Sequence, residues 1–509
     1  MYFLSNCKYS FDEFIDFLRN NLFLINITVF FLLLGYGIKL FSLSFSIDTE
    51  AIISITDSQY SAWHELGRTG LVLFKHLMGI GWYNNALASF LMVLFIGLSA
   101  LVWAYLLNGG VKKNHSLLFF TIPVVSSPII AEMLGFLLMG MEVALALIFI
   151  AISLMCTQNW IFSKSRMALL FAIIFSFIAF SIYLAMVTIF IVATFFIVFM
   201  KIENDNRLNK ETVFFTIRYI FVFVASYLAY TIFNKGAQWY FDISTHPYIS
   251  EQLRWGKDDI HIILSNLLNH LIEIYYSNSI FFTKWFLIVS IVFFLLLLIK
   301  TFYEKKSIYN LLIAICIIAS PFMMGIILGN RTTERTIMTH PFALGFMLFY
   351  IYQHIQKQHK YLKGILVLIL SVIGLSQSYV VNRIFYTEAI TYQQDVNLVY
   401  SVQNKIGELG YGEFPPYPVA FIGSHSVKCN NSCYSSQKLA LTGRSLFEIT
   451  FGNEHGTFVK NHFFAAQGAS YNLPSSEQIQ IATKVSENMP HWPSKGSIAL
   501  VNDVIIVNF

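Results

Sequence analysis

The chain has 509 residues, 56% of them hydrophobic and only 12% charged, with mean hydropathy +0.62. A soluble domain carries roughly twice that charged fraction, so most of this chain is built to dissolve in lipid and a soluble enzyme is excluded. The formal net charge of +5 comes from Lys and Arg clusters between apolar runs, where topology signals sit, which argues against nucleic acid as a partner.

A polar stretch with Asp12, Glu13, Asp16 and Arg19 precedes the first apolar run, Leu22 to about Ile38. No small-residue cleavage pattern follows it, so it reads as a retained first span, and at ~1.5 Å per residue it is long enough to cross a hydrocarbon core. Further apolar stretches run at about 86–107, 117–131, 136–156, 167–183, 185–200, 213–233, 281–299, 309–328, 341–352 and 364–381. The stretch from 167 to 200 exceeds the ~20 residues of one crossing and is divided near Ser181 and Tyr183, giving about eleven spans. The basic residues Lys8, Arg19, Lys112, Lys113, Lys164, Arg166, Lys201, Arg207, Lys210, Lys305, Lys306, Lys357, Lys360 and Lys363 then all fall on one side. By the positive-inside rule that side is the cytoplasm, which puts the N-terminus inside and the C-terminus outside.

Three segments remain on the outer face: residues 39–85, residues 234–280 and the turn from Asn330 to His340. Function is expected there. Leu71 to Ile80 is apolar but too short to span, as in a helix lying in the interface. The second segment mixes Asp242, Arg254, Trp255, Lys257, Asp258, Asp259 and His261. From Asn382 onward Pro, Gly, Ser and Asn rise, and β-type runs appear at Val419–Ile422 and Ile498–Val507. Helical patterns at Val396–Leu409 and Gln478–Val485 complete a small periplasmic α/β domain, residues 382–509. Cys429 and Cys433 fall in it on the outer side, where a local disulfide competes with two free thiols.

Just past the first span, Ser46-Ile47-Asp48-Thr49-Glu50 is followed by Asp57, Trp63, His64, Glu65 and Gly67-Arg68. Carboxylates at the lipid–water boundary are costly to hold near hydrocarbon and often mark function, though solvated acids sit there too. A chemical problem matches the layout. Outside the cytoplasm nucleotide sugars are not supplied, so a transferase there draws on a sugar carried by a polyprenyl phosphate. The leaving group is already good, and a carboxylate general base for the acceptor hydroxyl suffices. The departing phosphate is best met by Arg, with Arg68, Arg331 and Arg335 as outer-face candidates.

Other candidates have competing roles. Arg331 and Arg335 also suit headgroup anchoring, as does Lys75. Trp63 suits an interface belt as well as a sugar platform, His64 a polar neighbour, and Tyr183 packing. Glu50 and Asp57 suit the wetting of an interfacial helix, and Glu132 and Glu142 a solvated outer turn.

The Ile47-Asp48-Thr49-Glu50 segment, Trp63-x-x-x-Gly67-Arg68, the Ser181-Ile182-Tyr183 step and the Arg335 loop resemble the serotype-converting O-antigen glucosyltransferases. So do Tyr392-Gln393-Gln394-Asp395, Ile422-Gly423-Ser424, Met489-Pro490-His491-Trp492-Pro493 and Asp503-Val504-Ile505-Ile506-Val507. The resemblance implies a bacterial inner-membrane GT-C enzyme. Its residues 1–381 would form the transmembrane catalytic module, moving glucose from undecaprenyl-phosphate-glucose to lipid-linked O-antigen on the periplasmic face, without metal or cofactor. Asp48 becomes the best base candidate with Glu50 beside it. Family members often carry two adjacent acids here, whereas Thr49 separates these two.

No GxGxxG after a strand, GxxxxGK[ST], HExxH or paired CxxC occurs, which removes support for a nucleotide-driven pump, a zinc protease and a Rossmann-type transferase. The rivals are a flippase for lipid-linked sugars, which calls for charge-lined spans and inverted repeats, an O-antigen polymerase or ligase, and a non-enzymatic assembly scaffold.

Overall fold

The computed structural model describes residues 9–79, 83–205, 208–244, 251–276, 279–303, 307–355, 360–449 and 452–509. Lys8, Arg207, Lys305, Lys306, Lys357, Ile80 and parts of the 234–280 segment lie outside the described residues. The chain starts with α1 (Phe11–Asn20), whose first turn is capped by the Ser10 hydroxyl accepting from the Glu13 N–H at 3.2 Å. Then comes α2 (Leu22–Phe41), apolar throughout.

Residues 42–79 fold into three short helices, α3 (Thr49–Ser54), α4 (Thr56–Glu65) and α5 (Thr69–Leu77). Next are α6 (Asn85–Asn108), α7 (Leu118–Val125), α8 (Pro128–Gly135), α9 (Leu137–Ser163), α10 (Arg166–Ile182), α11 (Met186–Asp205) and α12 (Lys210–Tyr240). The chain continues through α13 (Ile260–Tyr276), α14 (Trp285–Tyr303), α15 (Tyr309–Leu328), α16 (Thr339–Ile355) and α17 (Lys360–Ile406). Among the described residues eight helices are long and apolar enough to cross a membrane: α2, α6, α9, α11, α12, α14, α15 and α17. The expected span near 117–131 is a pair, α7 and α8, bent by 48°, and α10 and α16 have 17 residues each. The chain is therefore a polytopic helical membrane protein, with each expected apolar stretch helical and three of them short or broken.

In lipid, helices associate through close packing rather than through hydrophobic expulsion, so small residues mark the crossings. At Gly345 of α16 an added Cβ would lie 2.8 Å from the Phe120 carbonyl oxygen of α7. At Gly70 of α5 it would lie 2.2 Å from the Ser181 Cβ at the end of α10, so α5 packs directly on the end of that helix.

Two sequence expectations change. The boundary at 381/382 falls inside α17, a 47-residue helix: hydropathy drops there, but the backbone meets no Pro or Gly between Gly374 and Gly407 that would end it. The pattern at Val396–Leu409 is thus largely the end of this helix. Second, the run at 498–507 is not one strand. It makes a hairpin of β2 (Ile498–Val501) and β3 (Val504–Asn508) whose two turn residues, Asn502 and Asp503, both have positive φ, as tight hairpins require.

The sheet order is β1-β3-β2, with β1 (Val419–Ile422) parallel to β3 and β2 antiparallel to it. It packs on α18 (Asn453–Ala466) and α19 (Ser476–Ser486), the latter begun by a Ser475–Gln478 capping box. Cys429 and Cys433 are joined as a disulfide.

Candidate active site

The segment linking α2 to α3 is held by buried polar contacts that the sequence gives no hint of. The Lys39 ammonium, on the last turn of α2, meets Glu388 of α17 at 2.5 Å and donates to the Ser44 carbonyl at 2.8 Å. Both side chains of this pair are essentially inaccessible. The other Glu388 oxygen accepts from the Ser46 hydroxyl at 2.9 Å, and Ser46 Oγ in turn receives the Gly443 N–H at 3.4 Å. Two residues on, Asp48 has φ 74°, ψ −19° and sits at the N-cap of α3. An L-residue seldom occupies this left-handed region unless its surroundings impose it.

The Asp48 side chain is exposed, yet burial is the largest influence on its carboxyl and raises its pKa. Three basic side chains oppose the rise: Arg335, His455 and Arg68. Glu50 is buried, its Oε2 has no hydrogen-bond partner among the described residues, and burial, then the Asp48 charge, push its pKa well above the ordinary carboxylate range. Burial thus raises both carboxyls, and the Asp48 charge adds to the rise at Glu50.

Each basic side chain is positioned by its own element. Arg335 stands in the short 3-10 turn Glu334–Thr336, its guanidinium 4.3 Å from the ring centroid of Phe136 between α8 and α9. Arg68 caps α5, lies 5.5 Å over the Tyr183 ring and reaches Met139 Sδ at 3.6 Å. Gly67 before it has φ +69°, and its carbonyl accepts from Tyr230 and Asn234 of α12. His455 comes from α18, which packs against α3; Ser54 of α3 and His462 of α18 share a 2.9 Å hydrogen bond.

The other predicted residues are placed differently. Lys75 is buried and paired with Glu142 at 2.6 Å, its ammonium 5.7 Å from the Trp63 ring centroid, rather than at headgroups. Trp63 is buried, stacked on Tyr60 at 5.7 Å, and presents no open platform. His64 is buried between Thr69, 3.1 Å away, and the Phe241 ring. Asp57 is exposed on α4. Arg331 pairs with Glu273 at 2.8 Å and with Glu334 at 3.7 Å. Glu132 and Glu142 are buried, not solvated. Glu132 Oε1 accepts from the Leu441 and Thr442 N–H groups at 3.0 and 3.3 Å, which ties α8 to the C-terminal part.

The reading from sequence missed His455, Lys39 and Glu388. A basic residue in the last turn of a span was visible at position 39, but its partner lies 349 residues away.

An acidic residue and three basic ones whose charges act on it, carried by a polytopic helical membrane protein, set the class: a membrane protein with a charged candidate site. Comparison with known families is specific on this point. The profile of the glucosyl transferase GtrII family matches residues 37–352, more than half of the chain, and the protein belongs to that family. The matched region contains Asp48, Glu50, Arg68 and Arg335, while His455 lies beyond it. No curated protein and no solved structure matches the chain.

Proposed function

We propose that the protein transfers glucose from undecaprenyl-phosphate-glucose to lipid-linked O-antigen repeats on the periplasmic face of a bacterial inner membrane. The observation that carries this reading is that the charges of Arg335, His455 and Arg68 all act on Asp48, an exposed carboxylate beside buried Glu50. In the reaction an acceptor hydroxyl attacks the anomeric carbon of glucose. The bond from that carbon to the phosphate oxygen breaks with its electron pair, and Asp48 takes the hydroxyl proton. Arg335 and Arg68 hold the phosphate as its charge develops. Glu50, its carboxyl raised by burial and by the Asp48 charge, favours its neutral form beside the leaving group.

Eleven crossings, with α7–α8 counted as one, put the N-terminus in the cytoplasm and residues 407–509 in the periplasm. The disulfide supports an oxidising side for the C-terminal part. The 1–381 and 382–509 units then work as a catalytic module and a periplasmic α/β domain joined through α17.

Protein reconstituted in lipid with radiolabelled undecaprenyl-phosphate-glucose and lipid-linked O-antigen should move label to the acceptor, and Asp48→Asn should stop it while leaving the elution profile unchanged. Failure of the intact protein to transfer label to any O-antigen acceptor would end this reading.

A further inference from the structure

Between α17 and the chain after β1 lies a cavity of about 620 Å³, within the range of small-molecule sites. Its walls come from α17 and from the chain between 427 and 448. Arg383 builds one wall: its guanidinium donates to the carbonyls of Ser432 (2.7 Å) and Cys433 (2.8 Å) and covers the Tyr434 ring at 4.2 Å, so the disulfide loop is held open against the helix. The opposite wall carries Arg444, Lys438 and Glu448. Arg444 Nε is buried without a hydrogen-bond partner among the described residues, a state that costs free energy unless a ligand fills it. Lys438 is exposed at the rim.

The cavity and the base share one partition. Gly443 lines the cavity, and its N–H donates to the Ser46 hydroxyl on the far side. From Ser46 to Asp48 is two residues, about 7 Å of chain.

We propose that this cavity binds the non-reacting sugars of the acceptor: an oligosaccharide segment seated by Arg444, Lys438 and Glu448, with its reacting hydroxyl delivered over the Ser46–Gly443 partition to Asp48. This rests on the transferase reading above. The lining suits a saccharide better than an apolar ligand, because it offers cationic donors, one carboxylate acceptor for hydroxyl pairs and room for several sugar rings. Three positive side chains, Arg383, Arg444 and Lys438, against the one carboxylate of Glu448 favour chains that carry an acidic group.

The test is calorimetric and needs no turnover. Intact protein in lipid nanodiscs is titrated with O-polysaccharide fragments of one and of three repeat units, released by mild acid from the host's lipopolysaccharide. Wild type should bind the longer fragment more tightly. Arg444→Ala, and separately Ser435→Trp, which fills the cavity from an exposed position, should each weaken binding about tenfold, with Arg444→Lys recovering part of the loss. The same variants should raise KM for lipid-linked acceptor while kcat changes little. Unchanged binding in both Arg444→Ala and Ser435→Trp overturns the inference. So does retention of phosphatidylglycerol by wild type but not by Arg444→Ala in native mass spectrometry, with no saccharide bound by either, since the cavity is then a lipid headgroup site. If the fragments bind as described but no glucose is ever transferred, the transferase reading fails and the saccharide site stands.

Discussion

At the residue scale the two acids near the end of the first span are not equivalent. Asp48 is accessible and three basic side chains act on it, whereas Glu50 is buried and raised further by its neighbour's charge. Asp48→Asn should therefore lower kcat by the ~10²–10⁴ of a lost general base, while Glu50→Gln, which mimics a protonated carboxyl, should keep most of the activity. A Glu50→Gln enzyme as dead as Asp48→Asn would reverse the assignment. The pH profile follows from the same charges. A base works when ionised, so kcat/KM should rise with pH through an Asp48 pKa lying above the ordinary ~3.9. Arg335 favours the ionised form, so Arg335→Gln should move that limb to still higher pH as well as weakening donor binding; a limb that stays put or moves to lower pH would show that Arg335 does not act on Asp48. The acids and Arg68 were candidates from the sequence because they cluster past a span end, and Arg335 because it stands in a short turn between apolar runs. His455 was not, since nothing in a sequence announces that residues four hundred positions apart will face each other.

At the element scale the decisive contact is the clip of α2, α17 and the segment between residues 42 and 48, built on Lys39 and Glu388. Removing one member of a buried pair leaves an uncompensated charge, so Glu388→Ala should cost about 3–5 kcal/mol, read as a fall in the detergent melting temperature. Replacing both with Met should restore most of that stability, since well-packed apolar residues often match a buried pair. Activity should stay low in the double variant because the Ser46 hydroxyl has lost the carboxylate that fixes the approach to Asp48; recovery of both properties would make the clip merely structural. Gly70→Ala addresses the other anchor. Its Cβ would meet the Ser181 side chain at 2.2 Å, which forces α5 off α10 and should lower both stability and activity. The helices themselves were legible from apolar length, and the division near Ser181 matches the break between α10 and α11, where Ile182 ends one helix and Met186 begins the next. The continuity of α17 and the hairpin turn at Asn502–Asp503 were not. Hydropathy reports the surrounding solvent, and a helix that leaves lipid for water changes its composition without changing its backbone.

For the whole molecule, the family-matched region ends at Tyr352, yet the site does not close within it. α18 delivers His455 and packs on α3, Gly443 braces Ser46, and Leu441 and Thr442 supply the N–H donors of buried Glu132. A chain ending after Ile406 would keep every membrane helix and both arginines. It would lose the brace of the Asp48 segment and the N–H donors of the Glu132 carboxylate. Misplacing a catalytic group by about 1 Å can cost a hundredfold in rate, so the truncated protein, even if it inserts and elutes as a single species, should transfer glucose at least about a hundredfold more slowly than the intact chain. The comparison is made at saturating donor and with a monosaccharide acceptor mimic, which leaves the distal saccharide cavity out of the measurement. Near-normal turnover of that mimic by the truncated chain would mean that residues 37–352 form a self-sufficient active site and that the C-terminal part only gathers the acceptor.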